Sequence, residues 1–340
     1  MSASFRKPDG LMTYPSFDLS PLTDASGIET RFLSYEDPIR AQELEDIDAL
    51  ILLSERFTKD SIPASGKLSV VARFGVGYDK VDVESCTQND IAVCITPDGV
   101  RRPVAVSILT LMLALTGKLL IKDRITWHVP DGFAARNEHM GLGLVGRTLG
   151  SVGIGNIGTE MFRLAAPLGM KFIAHDLFAD LSLAMELGVD LVDLDTVFAQ
   201  SDVISINCPL TPETHHLVNT SRLSQMKPTA YLINTARGPI VDQVALTQAL
   251  QNGSIAGAGL DVFEVEPPAA DDPILTLANV ILTPHALCWT DQCFGGIGAA
   301  DIAAILDVSL GQLPVGLLNQ EVSKRTKFSK KLADFSAQPT

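Results

Sequence analysis

Cysteine and charge are both scarce in this chain of 340 residues, and their scarcity excludes several classes of protein. The five cysteines are odd in number and show neither a CxxC pair nor the spacing of zinc ligands. We therefore predict no metal site, and buried thiols in a reducing, cytoplasmic compartment. Charged residues make up 19% and hydrophobic residues 46%, which is not the composition of a disordered protein. The cysteines are Cys86, Cys94, Cys208, Cys288 and Cys293.

Basic residues are outnumbered by acidic ones, 26 to 40, which gives a formal net charge of −14. Such a charge repels phosphate, so we expect the protein to bind neither nucleic acid nor a membrane. The uncharged run from Pro103 to Gly117 is shorter than the roughly 20 residues of a membrane span, and it predicts a buried core helix. The N-terminal residues have no apolar segment after their basic residues, so they do not predict a signal peptide.

Short apolar runs rich in valine and isoleucine alternate with helix-length amphipathic stretches through most of the chain. Runs of this kind are typical of parallel strands that are covered by helices on both faces. The pattern predicts an α/β fold with doubly wound sheets, and the length suits two domains. The predicted strands are residues 49–53, 69–74, 92–95, 149–154, 172–175, 203–207, 231–234, 256–260 and 280–282.

Two segments depart from this alternation. Residues 118–147 carry Trp127, Pro130 and several glycines without a strand pattern, and could form a linker, a lid or an arm that packs on another subunit. From Ser323 onward the sequence is basic and weakly apolar. We predict that this segment is a loosely held tail, because a run of charges is usually solvated.

A dinucleotide-binding fingerprint, GxGxxG, lies at residues 153–158, directly after a predicted strand and before a helical stretch. Gly153 would allow the tight turn, Gly155 would let the backbone approach a pyrophosphate, and Gly158 would let helix and strand pack closely. The helix N-terminus would then offer free N–H groups and the positive end of its dipole to the anion.

The strand after the fingerprint leads into Asp176, at about the 20-residue spacing of the ribose-binding acid in such folds. A carboxylate at this place can accept hydrogen bonds from both ribose hydroxyls, and it repels a 2′-phosphate. No arginine stands in residues 175–180. The sequence therefore predicts NAD, rather than NADP, as the cofactor.

Three further segments complete a recognisable pattern: NTARG at 234–238, GLDVFEVEP at 259–267 and TPH at 283–285. Together with the fingerprint they resemble the D-isomer-specific 2-hydroxyacid dehydrogenases, a family that includes phosphoglycerate, glycerate/hydroxypyruvate and D-lactate dehydrogenases. The four motifs stand in the family's order and at its spacing. The resemblance extends from about Ala49 to Val322.

The resemblance implies a Rossmann NAD-binding domain inserted into a flavodoxin-like substrate domain. The substrate domain would comprise residues 1–116 and 287–322, and the NAD-binding domain residues 117–286, which leaves 323–340 as the tail. The family dimerises through an arm, and residues 118–147 stand where that arm would be. A homodimer is therefore implied.

Carried onto this sequence, the resemblance assigns the catalytic roles to Arg237, Glu266 and His285. Arg237 would bind the carboxylate and carbonyl oxygen of the substrate, His285 would be the general acid–base, and Glu266 would pair with the histidine. Hydride transfer to a 2-keto carbon leaves an alkoxide, which an imidazolium can protonate near neutral pH. A carboxylate beside the ring fixes its orientation and favours its charged form.

Further contacts are implied for cofactor and substrate. Cys208 and Pro209 would line the nicotinamide side, Asp261 would hold the carboxamide, and the backbone of residues 75–77 would cradle the substrate carboxylate. The implied NAD contacts are Gly153, Gly155, Asn156, Ile157, Gly158, Asp176, Cys208, Pro209, Thr235, Ala236, Arg237, Asp261 and His285. The implied substrate contacts are Gly75, Val76, Gly77, Arg101, Arg102, Arg237 and Trp289.

Two departures from the family's pattern bear on the choice of substrate. The sequence VAVS at 104–107 replaces the common Val-Ala-Glu-His, and it follows Arg101 and Arg102, which have no obvious local counterion. Either an arginine contacts a second anionic group of the substrate or the cofactor pyrophosphate, or both point into solvent. The second departure is the run Ala-Leu-Cys-Trp after His285, where many relatives have glycine or alanine after the histidine.

The sequence as a whole predicts an NAD-dependent oxidoreductase that transfers a hydride between the nicotinamide and a small D-2-hydroxy acid or 2-keto acid. Two alternatives stay open: an NAD-sensing, corepressor-like interaction protein, and 3-phosphoglycerate dehydrogenase proper. The other histidines receive no role. In particular, His215 and His216 lie in a polar turn and are predicted as surface residues.

Overall fold

Parallel strands form a three-stranded and a seven-stranded sheet in the computed structural model, which describes residues 1–7, 12, 16–34 and 36–337. This architecture confirms the predicted α/β class. The predicted strands all occur, with ends that differ from the prediction by at most two residues, and β6 is an addition that the sequence did not predict. The strands are β1 (Ala49–Leu52), β2 (Val70–Arg73), β3 (Ala92–Cys94), β4 (Thr148–Val152), β5 (Lys171–His175), β6 (Val189–Leu191), β7 (Val203–Ile206), β8 (Tyr231–Asn234), β9 (Gly257–Leu260) and β10 (Val280–Leu282).

Many of the helices begin directly after a side chain that caps them. Each capping oxygen accepts a hydrogen bond from a backbone N–H of the first turn, where no intrahelical acceptor is available. The caps are Asp82, Asp180, Asp193, Asn219, Asp242 and Thr290. The helices are α1 (Ser20–Thr23), α2 (Val83–Gln88), α3 (Pro97–Thr116), α4 (Leu119–Thr126), α5 (Asp131–Ala134), α6 (Asn156–Ala165), α7 (Leu181–Glu186), α8 (Leu194–Gln200), α9 (Thr220–Gln225), α10 (Gln243–Gln251), α11 (Asp291–Ser309) and α12 (Thr326–Ser336).

The first compact unit, Met1–Val100 with Trp289–Thr340, contains the sheet β1-β2-β3. Backbone bonds extend this sheet beyond its named strands. At one edge the N–H of Ser2 donates to the carbonyl of Ile51 at 2.9 Å, and at the other Leu317 forms an antiparallel bridge with Cys94. Both terminal regions of the chain therefore take part in this unit.

The second compact unit, Arg101–Cys288, contains the seven-stranded sheet in the order β10-β9-β8-β7-β4-β5-β6. Adjacent residues of one strand face different hydrophobic clusters: Val203 of β7 shares a cluster with Phe162 of α6, and Ile204 shares another with Phe198 of α8. Helices thus cover both faces, as in a doubly wound Rossmann sheet. The strand order reverses between β4 and β7, where such sheets open a crevice at their carboxyl ends.

Helix α3 is long and apolar enough to cross a membrane by length and composition alone. In this structure, however, its buried residues Ala105, Ile108 and Met112 belong to the same cluster as Phe162 of the second unit. It therefore packs as the core helix that the sequence predicted. The two compact units divide inside α3, between Val100 and Arg101, whereas the sequence places a domain boundary after residue 116.

The prediction of a loosely held C-terminal tail is wrong for the residues that the structure describes. Helix α12 buries Phe328 and Leu332, which lie four residues apart and therefore on one face. Arg325 Nε lies 2.6 Å from Asp90 Oδ1, and Lys331 Nζ donates to the carbonyl of Leu68 at 2.7 Å. The basic residues anchor an amphipathic helix to the first unit, and residues 338–340 lie outside the described part of the chain.

Residues 118–147 contain α4, α5 and a short 3₁₀ helix (Ala135–Glu138), and they expose large apolar side chains. Trp127 is 78% exposed and Met140 is 75% exposed. Exposed apolar groups in such number are typical of surfaces that contact another protein. The exposed apolar residues of this segment are Leu119, Leu120, Trp127, Val129, Phe133, Met140 and Val145.

Candidate active site

The residues of the second unit that the sequence singles out follow the carboxyl ends of its strands. Gly153 follows β4, Asp176 follows β5, Cys208 follows β7 after one residue, and Asp261 follows β9. His285 lies shortly after β10. Because these strands are parallel, their carboxyl ends meet at one edge of the sheet, where open α/β sheets bind ligands.

The glycine-rich loop has the geometry that the fingerprint predicts for its first residue. Gly153 has φ of 97°, which side-chain-bearing residues rarely adopt. A Cβ at this position would lie 2.8 Å from the backbone carbonyl of Asn207, so the turn also passes too close to the next strand for a larger residue. Asn207 Nδ2 in turn donates to Ser151 Oγ at 2.8 Å, which ties β7 to β4 below the loop.

The other two glycines leave the start of α6 accessible. A Cβ at Gly155, the N-cap residue, would meet nothing within 4 Å, so this side of the loop is open. A Cβ at Gly158 would lie 2.7 Å from the carbonyl oxygen of Gly153, so glycine allows helix and loop to pack closely. The loop therefore fits a pyrophosphate, because the space beside Gly155 is open and Asn156 and Ile157 form the first turn of α6, where helices offer N–H groups without intrahelical partners.

Asp176 is tied to the glycine-rich loop. Its Oδ2 accepts from the N–H of Ile154 at 2.9 Å, and its Oδ1 accepts from the N–H of Phe178 at 2.8 Å. A carboxylate has about four acceptor positions, so both oxygens can still accept hydroxyl groups. The side chain is thus fixed in place at the end of β5 and keeps the capacity that a ribose would need.

Cys208 lies beyond β7 and is partly buried, followed by the exposed Pro209. Burial, assisted by the negative charge of Asp176, raises the pKa of the Cys208 thiol to about 11. The thiol is therefore neutral near pH 7. It can pack against a ligand but cannot act as a nucleophile there.

Glu266 and His285 form a pair, as the resemblance implies. His285 Nδ1 lies 2.9 Å from Glu266 Oε2, and Glu266 Oε1 accepts from the N–H of Phe263 at 3.0 Å. Burial alone would raise the pKa of Glu266, but the hydrogen bond and charge of His285 outweigh it, so this pKa is lowered. His285 itself has φ of 54°, a strained conformation of the kind found at functional sites.

Asp261 fixes the loop that carries His285. Its Oδ1 accepts from Thr283 Oγ1 at 2.6 Å and from the N–H groups of Ala286 and Leu287 at 3.0 and 3.1 Å. The side chain is buried. Its contact with a nicotinamide carboxamide stays a prediction, and the loop-fixing contacts are ones that the sequence did not reveal.

Arg237 lies in a loop that the buried Asn234 holds at both sides. Asn234 Oδ1 accepts from the N–H of Ala236 at 3.0 Å, and its Nδ2 donates to the carbonyl of Arg237 at 2.9 Å. Arg237 Nη1 donates to the carbonyl of Ala236 at 2.7 Å. The positive charge of Arg237 also contributes to the lowered pKa of Glu266, so the three catalytic candidates interact. Thr235 and Ala236 are partly buried in the same loop.

The premise that Arg102 lacks a local counterion is wrong. Arg102 Nη1 lies 2.6 Å from Glu160 Oε1, and Arg163 Nη1 lies 3.6 Å from the other oxygen of that carboxylate. The hydrogen bond from Arg102 holds the pKa of Glu160 below its usual range although the carboxylate is buried, and the charge of Arg101 adds to this. Arg102 thus joins α3 to α6. The sequence did not reveal this counterion, because Glu160 lies 58 residues away along the chain.

The remaining substrate candidates belong to the first unit. Gly75 has φ of 117°, and its N–H donates to Thr96 Oγ1 at 3.0 Å, while Val76 and Gly77 follow it with partly buried backbone. Trp289 is 50% exposed, and its ring packs edge-on against Phe294 with centroids 5.4 Å apart. The structure thus shows a glycine turn and a half-exposed aromatic ring within this unit.

His216 forms a contact that the sequence did not predict, while its ring remains partly exposed, as expected of a surface residue. His216 Nε2 lies 2.7 Å from Glu264 Oε1, and its ring stacks on that of His215 at 4.1 Å. The two partners are both only partly exposed. Sequence reasoning missed this pair because its members lie in different segments, and the motif at 259–267 drew attention to Asp261 and Glu266 but not to Glu264.

The chain matches known proteins over most of its length. Residues 109–286 match the family described as D-isomer specific 2-hydroxyacid dehydrogenase, NAD binding domain. A glyoxylate reductase from Korarchaeum cryptofilum is 38% identical over 288 residues, which cover 83% of this chain and 86% of that protein. A D-3-phosphoglycerate dehydrogenase from Archaeoglobus fulgidus is 37% identical over 284 residues, which cover 83% of this chain and 53% of that protein.

Solved structures give the same picture. The D-lactate dehydrogenase from Aquifex aeolicus, complexed with NAD and lactic acid, has a TM-score of 0.75 and is 31% identical, over 85% of this chain and 90% of that one. The holo form of D-mandelate dehydrogenase from Rhodotorula graminis has a TM-score of 0.79 and is 26% identical, over 86% and 91%. The chain is therefore similar in sequence and in fold to enzymes of one family.

Proposed function

We propose, because this chain belongs to the D-isomer-specific 2-hydroxyacid dehydrogenase family, that His285 is the general acid–base of its reaction. The protein is an NAD-dependent oxidoreductase of 2-hydroxy acids. One observation carries the proposed role: His285 Nδ1 lies 2.9 Å from Glu266 Oε2. The pair lies beyond the carboxyl ends of the strands, as the glycine-rich loop does. The nearby charge of Arg237 completes the arrangement.

The proposed roles follow from the hydrogen bonds of these side chains. Bound NADH supplies the hydride that reduces the keto carbon. Because the Nδ1 of His285 faces Glu266, its Nε2 is the nitrogen that donates a proton to the carbonyl oxygen as the alkoxide forms. Arg237 binds the substrate carboxylate with two N–H groups and polarises the adjacent carbonyl. In the reverse direction, Nε2 accepts the hydroxyl proton of the hydroxy acid.

We propose small 2-keto acids, reduced to D-2-hydroxy acids, as the substrates. Two relatives that are named glyoxylate reductase, 38% and 35% identical to this chain, support a keto acid with a short side chain. The backbone of residues 75–77, the exposed Trp289 and the partly buried Arg101 remain proposed contacts of the substrate. We no longer propose Arg102, because its guanidinium is paired with Glu160.

A panel of 2-keto acids tests this function. The purified protein is assayed with glyoxylate, hydroxypyruvate, pyruvate, phenylpyruvate and 3-phosphohydroxypyruvate, each with NADH and with NADPH, by the absorbance of the reduced nicotinamide. We expect NADH-dependent reduction, with the highest kcat/KM for glyoxylate or hydroxypyruvate. A protein that binds NADH but reduces none of these acids would contradict the proposed reaction.

We propose further that the enzyme is a cytoplasmic homodimer. The support for the dimer lies in residues 118–147, which expose apolar side chains such as Trp127, Phe133 and Met140. Sedimentation velocity of the wild-type protein and of Trp127→Ser with Met140→Ser tests the assembly. A monomeric wild type, or a variant that sediments as the same dimer, would contradict this role of the segment.

Asp176 is expected to determine the choice of cofactor. Replacement by serine removes the carboxylate that accepts ribose hydroxyls and repels a 2′-phosphate. The ratio of kcat/KM with NADH to that with NADPH should fall about tenfold or more, which corresponds to a loss of about 1.4 kcal/mol in the preference for NADH. Steady-state kinetics with both cofactors measure the ratio. Asp180→Ser, at the exposed cap of α7, serves as the matched control and should leave it unchanged.

Glu266→Gln is expected to change the pH dependence of reduction. The wild-type carboxylate carries a lowered pKa, so it is charged at neutral pH and favours a protonated ring beside it. The glutamine keeps the size but not the charge. The alkaline decline of kcat/KM should therefore move to lower pH, and kcat should fall. Stopped-flow measurement of the hydride step across pH gives the profile, and an unchanged profile would remove Glu266 from its proposed role.

A further inference from the structure

His216 connects two loops that carry catalytic candidates: residues 235–241 after β8 (the Arg237 loop) and residues 261–267 after β9 (the Glu266 loop). Its ring Nε2 lies 2.7 Å from Glu264 Oε1, and its backbone N–H donates to the carbonyl of Pro239 at 2.8 Å. Glu264 stands two residues before Glu266, and Pro239 stands two residues after Arg237. One residue therefore holds the Arg237 loop through its backbone and the Glu266 loop through its side chain.

The two loops are also in direct contact with each other. A Cβ at Gly238 would overlap the carbonyl group of Phe263 and the N–H of Glu264, so the backbones touch at this glycine. The contact sets how closely the loops approach, and the pairing of Asn234 with Leu260 aligns the strands that lead into them. A side-chain hydrogen bond across the contact adds a constraint at the level of the catalytic candidates.

Glu264 is held at its other oxygen by α10. Glu264 Oε2 accepts from the N–H of Gln243 at 3.1 Å, and the N–H of Glu264 donates to Gln243 Oε1 at 3.0 Å. Gln243 Nε2 donates onward to Asp272 Oδ2 at 2.7 Å. Both oxygens of Glu264 are therefore engaged, one by Gln243 of α10 and the other by the ring of His216.

The backbone of His216 is itself strained. Its φ is 50°, in the left-handed region that residues other than glycine seldom adopt. Among the described residues of the second unit, His285 and Lys118 share this feature. Such conformations persist where surrounding contacts over-determine them, and they cluster at functional sites. The strain at His216 is maintained by its backbone bond to Pro239 and its ring contact with Glu264.

We infer that His216 and Glu264 are positioning residues that hold Arg237 in register with the Glu266–His285 pair. The inference rests on the proposed function, because it needs those three residues to act on the substrate. The pair itself touches neither substrate nor cofactor in this assignment. The pair affects the rate through alignment, because a displacement of the reacting groups by about 1 Å lowers the rate on the order of 100-fold.

Four variants test the inference in the full-length enzyme. His216→Ala and Glu264→Ala remove either partner, and the double variant removes both. His216→Gln places an amide nitrogen near the position of Nε2 and keeps a donor for Glu264. His215→Ala is the matched control, because this neighbouring histidine stacks on His216 but is not the partner of Glu264.

Each single alanine variant is expected to lower kcat/KM for the keto acid about tenfold or more, with the Kd of NADH changed less than about twofold. The primary deuterium isotope effect with deuterated NADH should rise, because the misaligned hydride step becomes more rate-limiting. The double variant should be no worse than the worse single variant, since the two act as one unit. His216→Gln should recover most of the activity, and His215→Ala should retain it.

A purely structural role predicts a different result. If His216→Ala and Glu264→Ala lower the melting temperature but keep kcat/KM and the isotope effect, the inference is overturned. If His216→Ala fails to fold, His216→Gln carries the test, since a folded Gln variant as slow as Glu264→Ala would also overturn it. Failure of the proposed function is seen separately, as full activity of a His285→Ala reference variant.

Discussion

Replacing His285 with alanine is expected to lower kcat for keto-acid reduction about 100-fold or more, because general acid–base catalysis typically contributes that much. The alkoxide that forms on hydride transfer loses its proton donor, while Glu266 loses the ring that lies 2.9 Å from it. Although His285 is among the implied NAD contacts, NADH affinity should change little, since the glycine-rich loop and Asp176 remain.

Single-turnover reduction and a fluorescence titration with NADH measure the two quantities separately. His139→Ala is the matched control, because this histidine lies in residues 118–147, outside the segments that carry the catalytic candidates. Normal turnover of His285→Ala on the best keto acid would show that the acid–base assignment is wrong. Weak NADH binding by the variant would instead indicate a structural effect.

Gly238→Ala is expected to destabilise the protein by about 4 kcal/mol or more, a size that only a few mechanisms produce in a single substitution. The new methyl group would overlap the carbonyl of Phe263 and the N–H of Glu264, which are backbone atoms and cannot rotate away. The Arg237 loop and the Glu266 loop must then separate, so activity should be lost as well.

Thermal and urea unfolding measure the free energy of unfolding for this variant. Gly143→Ala is the matched control, since a Cβ there would meet nothing within 4 Å and its φ is not positive. That control should be as stable as the wild type or slightly more so. A Gly238→Ala protein with wild-type stability would show that the two loops are not packed as described.

The parts of the fold that could be predicted from sequence are those specified by neighbouring residues. Apolar runs of β4, β7 and β8 face hydrophobic clusters on both sides, so their composition identifies them without knowledge of their partners. The glycines at 153 and 158 likewise have local reasons, a positive φ and a close approach within one turn. The distance between His285 and Glu266 agrees with what the resemblance implied.

The features that could not be predicted depend on partners far away in the sequence. Strand β6 has only three residues with the exposed Asp190 in its middle, so its pattern is too short to distinguish. The basic C-terminal segment is a packed helix because it buries Phe328 and Leu332 and because Asp90 faces Arg325. Arg102 and His216 acquire acidic partners 58 and 48 residues away, which no local motif announces.

The raised pKa of Cys208 has a consequence for how the enzyme withstands oxidants. With a pKa of about 11, only about one thiol in ten thousand is ionised at neutral pH. Peroxides and alkylating agents attack the thiolate, so this position reacts slowly with them. Cys86 and Cys94, whose burial raises their pKa to about 12, are protected still further. Exposure to peroxide or iodoacetamide should therefore leave these three sulfurs unmodified while the fold persists.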